Sequence, residues 1–275
     1  MIDIFFHIGL HKTATTWFQR QLFPSLDGVQ VVRTKYIDKI AAHLSTIDTS
    51  VNGSPTVIVS HEALGGSIAH RRSPGFATDR LESNLELIAS LAPQRSIIVG
   101  FREHGSWLQS AYSQRATKNF GIDQDGYVKG FSLSDLSWRR KLETIGASCE
   151  AVFPFLYEEL LRDPKLLVTD LCRFIGKPPP PNLDELLRIR ENATPRSALG
   201  QFVSRSMLKL SRSSNRRHWK HHAFRVGAWC DNIYPKRRSL PLDPELAGAL
   251  REDWNELLDL VGKRRGHDFS AYRKP

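Results

Sequence analysis

The chain has 275 residues, of which 40% are hydrophobic and 25% charged, with 39 Lys plus Arg against 29 Asp plus Glu for a net charge of +10. That balance excludes a disordered or collagen-like chain and leaves enough apolar material for a sizeable core. The excess of positive charge suits anionic partners such as nucleotides, nucleic acid, acidic glycans or membrane surfaces, without choosing among them.

No apolar run is long enough for a transmembrane helix, and the N-terminal MIDIFFHIGLHKT lacks the basic start and small-residue cleavage site of a signal peptide. Cys149, Cys172 and Cys230 are widely spaced, with no C-x-x-C pair. Neither a disulfide framework nor a structural zinc site is expected, and a reducing, cytoplasmic setting is.

The first predicted element is a short buried strand, Ile4 to Ile8, leading through Gly9-Leu10-His11-Lys12-Thr13 into a helix with Trp17, Phe18 and Leu22 that stops near Pro24. Val29 to Val32 forms a second strand, and Ile37, Ile40, Ala41 and Leu44 have helical spacing. TVIVS, Thr56 to Ser60, is a clear strand ending at His61-Glu62. Leu81, Leu85, Ile88 and Ala92 mark a helix, SIIVGF ends at Arg102, and a helix covers about Ser106 to Asn119. Ala151 to Phe155 is a weaker strand. Asp163-Pro164 opens a helix that Gly176 closes, and Asp243-Pro244 opens a final helix ending at Gly262.

Strands alternating with helices predict an α/β fold: a parallel β-sheet with helices on both faces. One domain over 1–275 is expected, with a core at 1–177, a basic region at about 190–238 and the C-terminal helix at about 243–262. Ligands of such sheets bind beyond the carboxyl ends of the strands. Three strand ends carry suitable chemistry: Gly9 to Thr16, His61-Glu62, and Arg102.

A strand, a Gly turn, a Lys, several Thr and a helix make an anion site, because backbone N–H groups and the helix dipole point at the ligand. Lys12 adds a point charge and Thr13, Thr15 and Thr16 add hydroxyls. The loop departs from the nucleotide-binding G-x-x-x-x-G-K-[ST] pattern, since only two residues separate Gly9 from Lys12. Neither TVIVS nor SIIVGF ends in an Asp to hold magnesium, which disfavours an ATP-using phosphotransferase. A capped helix start with a surface lysine would account for the loop taken alone.

GLHKTATTWFQ resembles the 5′-phosphosulfate loop of sulfotransferases that use 3′-phosphoadenosine 5′-phosphosulfate (PAPS), with Ala14 where Gly is usual and Phe18 where Leu is usual. Alanine at position 14 makes a positive φ there less expected. IIVGFREHGSWLQSAYSQ resembles the 3′-phosphate motif of the same family, with Arg102 at the strand end and Ser110 eight residues later. Glu103-His104 replaces the family's frequent Asn-Pro, which leaves the shape of that turn open. Phe155-Leu156-Tyr157-Glu158-Glu159-Leu160 through Asp163-Pro164 to Gly176 is similar to a third family segment.

The resemblance implies a P-loop-like sulfotransferase fold and transfer of a sulfuryl group from PAPS to a hydroxyl or amine, with no metal. His11, Lys12, Thr13, Ala14, Thr15, Thr16, Arg102, Ser110 and Tyr157 are its expected donor-binding residues, with Tyr157 near the adenine. Lys12 would stabilise charge on the bridging oxygen. Glu62 is the favoured general base, with His61 second, and Lys12 is expected to keep Glu62 ionised. The acceptor stays open: an anionic glycan or other carbohydrate, or a small hydroxyl compound. The alternatives are an ATP-using P-loop phosphotransferase and a non-catalytic polyanion binder, the latter resting on the basic run after Asn192. No nucleic-acid partner is expected, since no RNA-binding or helix-turn-helix signature is present.

Overall fold

In a computed structural model, the structure describes residues 3–33, 39–47, 56–65, 79–92, 94–118, 124–189, 226 and 242–274. Five strands, β1 (Asp3–Ile8), β2 (Val29–Val32), β3 (Thr56–His61), β4 (Ser96–Phe101) and β5 (Ala151–Leu156), form one sheet in the order β2-β3-β1-β4-β5. Every pairing is parallel. β1 is central, and its last residue, Ile8, lies level with His61 of β3. All five carboxyl ends therefore share one edge.

Alternation along the strands divides the core in two. Phe6, Ile8, Val57, Val59, Ile97, Val99 and Phe101 face a layer that includes Ile88, Trp107, Trp138, Trp254 and Leu257. Phe5, Ile58, Ile98, Phe153 and Phe155 face the other, with Phe18, Phe23, Leu167, Leu171 and Ile175. Burial on both faces explains why TVIVSH is buried at all six positions and reads as a continuous run. Gly100 is needed because the Phe155 ring lies across it: a Cβ there would sit 2.3 Å from Cζ.

The first layer is built from α3 (Asp79–Leu91), α4 (His104–Lys118), α5 (Gln124–Val128), α6 (Leu133–Leu136), α7 (Trp138–Ser148) and α11 (Pro244–Arg265), and the second from the segment after β1 together with α9 (Pro164–Ile175). α2 (Ile40–Ser45) also packs on the first layer through Ile40, and α1 (Thr15–Trp17), α8 (Tyr157–Arg162) and α10 (Leu183–Arg188) pack on the second through Trp17, Leu160 and Leu186. α1 runs straight into a π turn, Phe18–Leu22, and a 3₁₀ turn, Phe23–Ser25, where Pro24 ends the helical path as its position predicts. Among the described residues no helix is long and apolar enough to cross a membrane.

Two caps match the sequence reading. The Asp163 carboxylate accepts from the Leu166 N–H with Pro164 in the first turn, and Gly176 closes α9 at φ 75°. Asp243 caps α11 by accepting from the Glu245 N–H. The end of α11 differs from expectation: the helix continues past Gly262 to Arg265 and is closed by Gly266 at φ 68°. Gly262 answers to a close approach instead, since a Cβ there would meet the His267 carbonyl oxygen at 2.8 Å.

α11 is held to the body by buried polar groups. The Asp253 carboxylate accepts from the Trp138 N–H at 2.8 Å and from the Ser137 hydroxyl, and lies 3.2 Å from Nε2 of the buried His104. At its far end Arg265 pairs with Glu159 and, at 2.7 Å, with Asp170, which His267 also reaches at 2.7 Å.

Candidate active site

Gly9 follows β1 because the chain must pass close to its neighbours there: a Cβ at Gly9 would lie 2.5 Å from Thr15 Oγ1 and 3.1 Å from Glu62 Cα. The loop that follows takes two left-handed residues, Lys12 at φ 70° and Ala14 at φ 64°. Ala14 thus adopts the positive φ that its side chain disfavours. The start of the helix outweighs that preference: the Ala14 carbonyl accepts from the N–H groups of Trp17 and Phe18, so Ala14 is the cap of the helical path. Thr13 Oγ1 donates to the Leu10 carbonyl inside the loop. Alternating left-handed residues turn successive backbone N–H groups to one side, a concavity suited to an anion. Thr15 is 2% exposed, and its Oγ1 has no hydrogen-bond partner among the described residues.

The loop is clamped from β4 and α4. Arg102, 8% exposed, donates from Nη1 to the Lys12 carbonyl at 3.2 Å and from Nε to Ser106 Oγ at 3.0 Å. Its guanidinium lies 4.3 Å from the centre of the Tyr157 ring. Trp107 Nε1 donates to the His11 carbonyl at 2.7 Å, and Trp138 Nε1 to the Arg102 carbonyl at 2.8 Å. Glu103 settles the open turn: its carboxylate accepts from the Gly105 and Ser106 N–H groups, capping α4, which begins at His104, two residues before the expected start. His104 stacks on Trp138 with the ring centres 5.2 Å apart.

On the other side of β1, the 3₁₀ turn Glu62–Gly65 follows β3. Glu62 Oε2 lies 3.5 Å from His11 Nδ1, with the Glu62 side chain 42% exposed. The carboxyl is held below the usual carboxylate range, chiefly by His11 and then by the charge of Lys12, against the opposing effect of burial. Lys12 thus acts on Glu62 in the expected direction, and His11 acts more strongly. His7 points to the second core face, 2.7 Å from Ser60 Oγ and against Phe18, Phe23 and Phe155. Burial pushes its pKa down to about 3, so it is neutral. Gln19 Nε2 also donates to Ser60 Oγ, at 3.0 Å.

His61 ends β3 on the face of Val57 and Val59, 8% exposed. Glu62 projects from the turn beyond it and meets the donor loop. Ser110 lies one turn beyond Ser106 on the same side of α4, and it is Ser106 that engages Arg102. Thr16 follows Thr15 in α1. The basic region at about 190–238 falls outside the described residues, apart from Val226.

The sequence reading missed Ser106, Trp107 and Glu158. Glu158 accepts from the Glu103 N–H at 3.2 Å, and burial pushes its carboxyl upward. Ser106 had a usable signal, since it stands four residues after Arg102 at a helix start. Trp107 and Glu158 had none, because their partners are backbone groups on other elements.

No family model matches the chain, and no curated protein matches it in sequence. Among solved structures, a sulfotransferase from Alicyclobacillus acidocaldarius is similar, with a TM-score of 0.51 and 13% identity over 100% of each chain. The sulfotransferase domain of the Synechococcus PCC 7002 olefin synthase is 14% identical over 98% of this chain and 96% of its own, with a TM-score of 0.44 that carries no argument. The class is thus an α/β protein with an all-parallel five-stranded sheet. More particularly, its fold is the P-loop-like sulfotransferase fold.

Proposed function

We propose that the chain transfers a sulfuryl group from PAPS to a hydroxyl or amine of an acceptor. The observation that carries this reading is the hydrogen bond from Arg102 to the Lys12 carbonyl, which joins two motifs far apart in sequence into one cationic site. A buried, unpartnered Thr15 hydroxyl beside Gly9 fits the same reading, because an anionic oxygen there would complete it.

In this reading His11, Lys12, Thr13, Ala14, Thr15 and Thr16 belong to the loop that holds the 5′-phosphosulfate. Arg102 takes the 3′-phosphate, with Ser106 fixing its guanidinium and Ser110 one turn further along. Tyr157 offers the ring face away from Arg102 to the adenine. The donor supplies the sulfuryl group: the acceptor oxygen or nitrogen bonds to sulfur as the bond from sulfur to the phosphate oxygen breaks, leaving its electron pair on that oxygen. Lys12 stabilises the charge that collects there. Glu62 accepts the acceptor's proton, and its half-exposed carboxylate beside the donor loop supports it over the buried His61. The region 190–238 is assigned to the acceptor side on its charge, which favours an anionic glycan among the acceptor classes.

The test is thermal shift with adenosine 3′,5′-bisphosphate, ATP with magnesium, and heparin, followed by transfer from labelled PAPS to a panel of acceptors. A ligand that binds only the native state raises the melting temperature. A shift with the bisphosphate alone supports the proposal. A shift with ATP and magnesium alone points to a phosphotransferase, and one with heparin alone to a polyanion binder.

A further inference from the structure

His11 belongs to the phosphosulfate loop in sequence, yet its imidazole turns away to the end of β3. Nδ1 lies 3.5 Å from Glu62 Oε2, while Nε2 is buried without a hydrogen-bond partner among the described residues. The main chain of the same residue is fixed independently by the indole N–H of Trp107, at 2.7 Å. The next carbonyl, of Lys12, is held by Arg102. His11 is therefore anchored through its backbone to the β4–α4 side and reaches Glu62, on the β3 side, with its ring. Glu62 itself opens a short 3₁₀ turn and is only half-buried, so a partner is needed to fix its carboxylate.

We propose that His11 is the positioning residue of Glu62: the donor loop carries the ring that orients the base. The inference rests on the reading of Glu62 as the base in sulfuryl transfer. Proton abstraction is efficient only when the carboxylate is both ionised and within hydrogen-bond reach of the acceptor. The ring of His11 supplies both conditions from a loop whose own shape depends on Arg102. The titratable groups that act on Glu62 are His11 and Lys12 on the loop and His7 on β1. His7 is buried and neutral, and Lys12 is committed to the donor in the proposed mechanism. That leaves the His11 ring, as distinct from the His11 main chain that shapes the donor loop, as the group through which the base can be perturbed.

The experiment compares the wild-type protein with His11→Ala, His11→Asn and Glu62→Gln by three readouts. These are the pH profile of kcat/KM for sulfuryl transfer, calorimetric binding of adenosine 3′,5′-bisphosphate, and a ¹³C titration of the Glu62 carboxyl, assigned from its loss in Glu62→Gln. His11→Ala is expected to lower kcat by about tenfold to a hundredfold while leaving the bisphosphate Kd within about threefold, a change below ~1 kcal/mol. Its acidic limb and its carboxyl midpoint should both move to higher pH, because Glu62 loses the partner that holds its pKa down. His11→Asn, whose amide N–H₂ can replace the Nδ1 donor, should recover part of kcat. Loss of bisphosphate affinity equal to the loss of kcat, with the acidic limb unmoved, would make His11 a donor contact and overturn the proposal. An unmoved Glu62 midpoint in folded His11→Ala would overturn it as well. If the wild-type protein neither binds the bisphosphate nor transfers, the donor reading falls, and the carboxyl titration still decides whether His11 holds Glu62.

Discussion

At the scale of single residues, the loop spends backbone conformation on its shape. A left-handed L-residue costs about 1–2 kcal/mol, and both Lys12 and Ala14 adopt that region. Ala14→Gly removes the strain at position 14 but loosens the unfolded chain by about 0.4–1 kcal/mol. A net gain of up to about 1 kcal/mol in urea unfolding is expected, and a clear loss would mean that the methyl group packs favourably. Lys12→Ala should abolish transfer, since the developing charge loses its nearest cation. Glu62→Gln keeps the shape and removes the basicity, so transfer should fall by about 10²–10⁴ with donor affinity kept. His61→Ala should do less, and the reverse order of damage would move the role to His61. The pH dependence follows from the depressed pKa of Glu62. Activity carried by the ionised carboxylate is present above that lowered value and is lost as pH falls through it. The acidic limb of kcat/KM should therefore lie below the ordinary Glu range, and a limb above that range would contradict the role.

At the scale of elements, the strand ends position the site while the helices hold the strand ends. Trp138, at the start of α7, supports the Arg102 carbonyl through its indole and is itself held through its N–H by Asp253 of α11. Asp253→Ala would leave the buried Trp138 N–H without its acceptor, while His104 Nε2 keeps the Leu136 carbonyl, and an unsatisfied buried donor costs about 1–3 kcal/mol. Chemical denaturation should show that loss, and a change under ~1 kcal/mol would mean the groups find water instead. The elements most visible in the sequence were those with one clear signal. The five strands were legible as short apolar runs, and α9 and the start of α11 as Asp-Pro caps. α7 went unread although Trp138, Leu142 and Ile145 recur at helical spacing, because Arg139, Arg140 and Lys141 break up the run. Lys141 is buried against Trp138 all the same, its ammonium bonded to the Asp135 carbonyl. The end of α11 was misread because two glycines, Gly262 and Gly266, both look like stops, and only the backbone φ of Gly266 tells them apart.

At the scale of the whole molecule, the residue types of the site were legible before their contacts were. A parallel sheet brings every strand end to one edge, so Lys12, Glu62 and Arg102 were placed together by topology alone. Which atoms meet was not legible: Arg102 with the Lys12 carbonyl and Ser106, and Glu62 with His11, depend on loop conformations that no pattern of residue types encodes. The net charge of +10 gathers partly in Arg196, Arg205, Lys209, Arg212, Arg216, Arg217, Lys220 and Arg225, all outside the described residues. If that stretch steers an anionic acceptor, kcat/KM should fall steeply with salt while kcat changes little, since exposed charges are screened within ~10 Å at 0.1 M. Reversal of Arg212, Arg216 and Arg217 to Glu should reproduce the loss at low salt. An acceptor indifferent to both would leave the stretch as a solvated surface.

The central claim is that the loop after β1 and the arginine after β4 form one site for a nucleotide carrying both a 5′ and a 3′ phosphate. Calorimetric titration of the wild-type protein and Arg102→Ala with adenosine 3′,5′-bisphosphate and with adenosine 5′-monophosphate tests it most directly. The account predicts that the wild-type protein binds the bisphosphate more tightly than the monophosphate. It also predicts that Arg102→Ala loses about 1.5–3 kcal/mol more toward the bisphosphate than toward the monophosphate, the worth of a charge-assisted contact, since any loosening of the loop is shared by both. Equal affinity of the wild-type protein for the two nucleotides, or undiminished bisphosphate binding by Arg102→Ala, would contradict it.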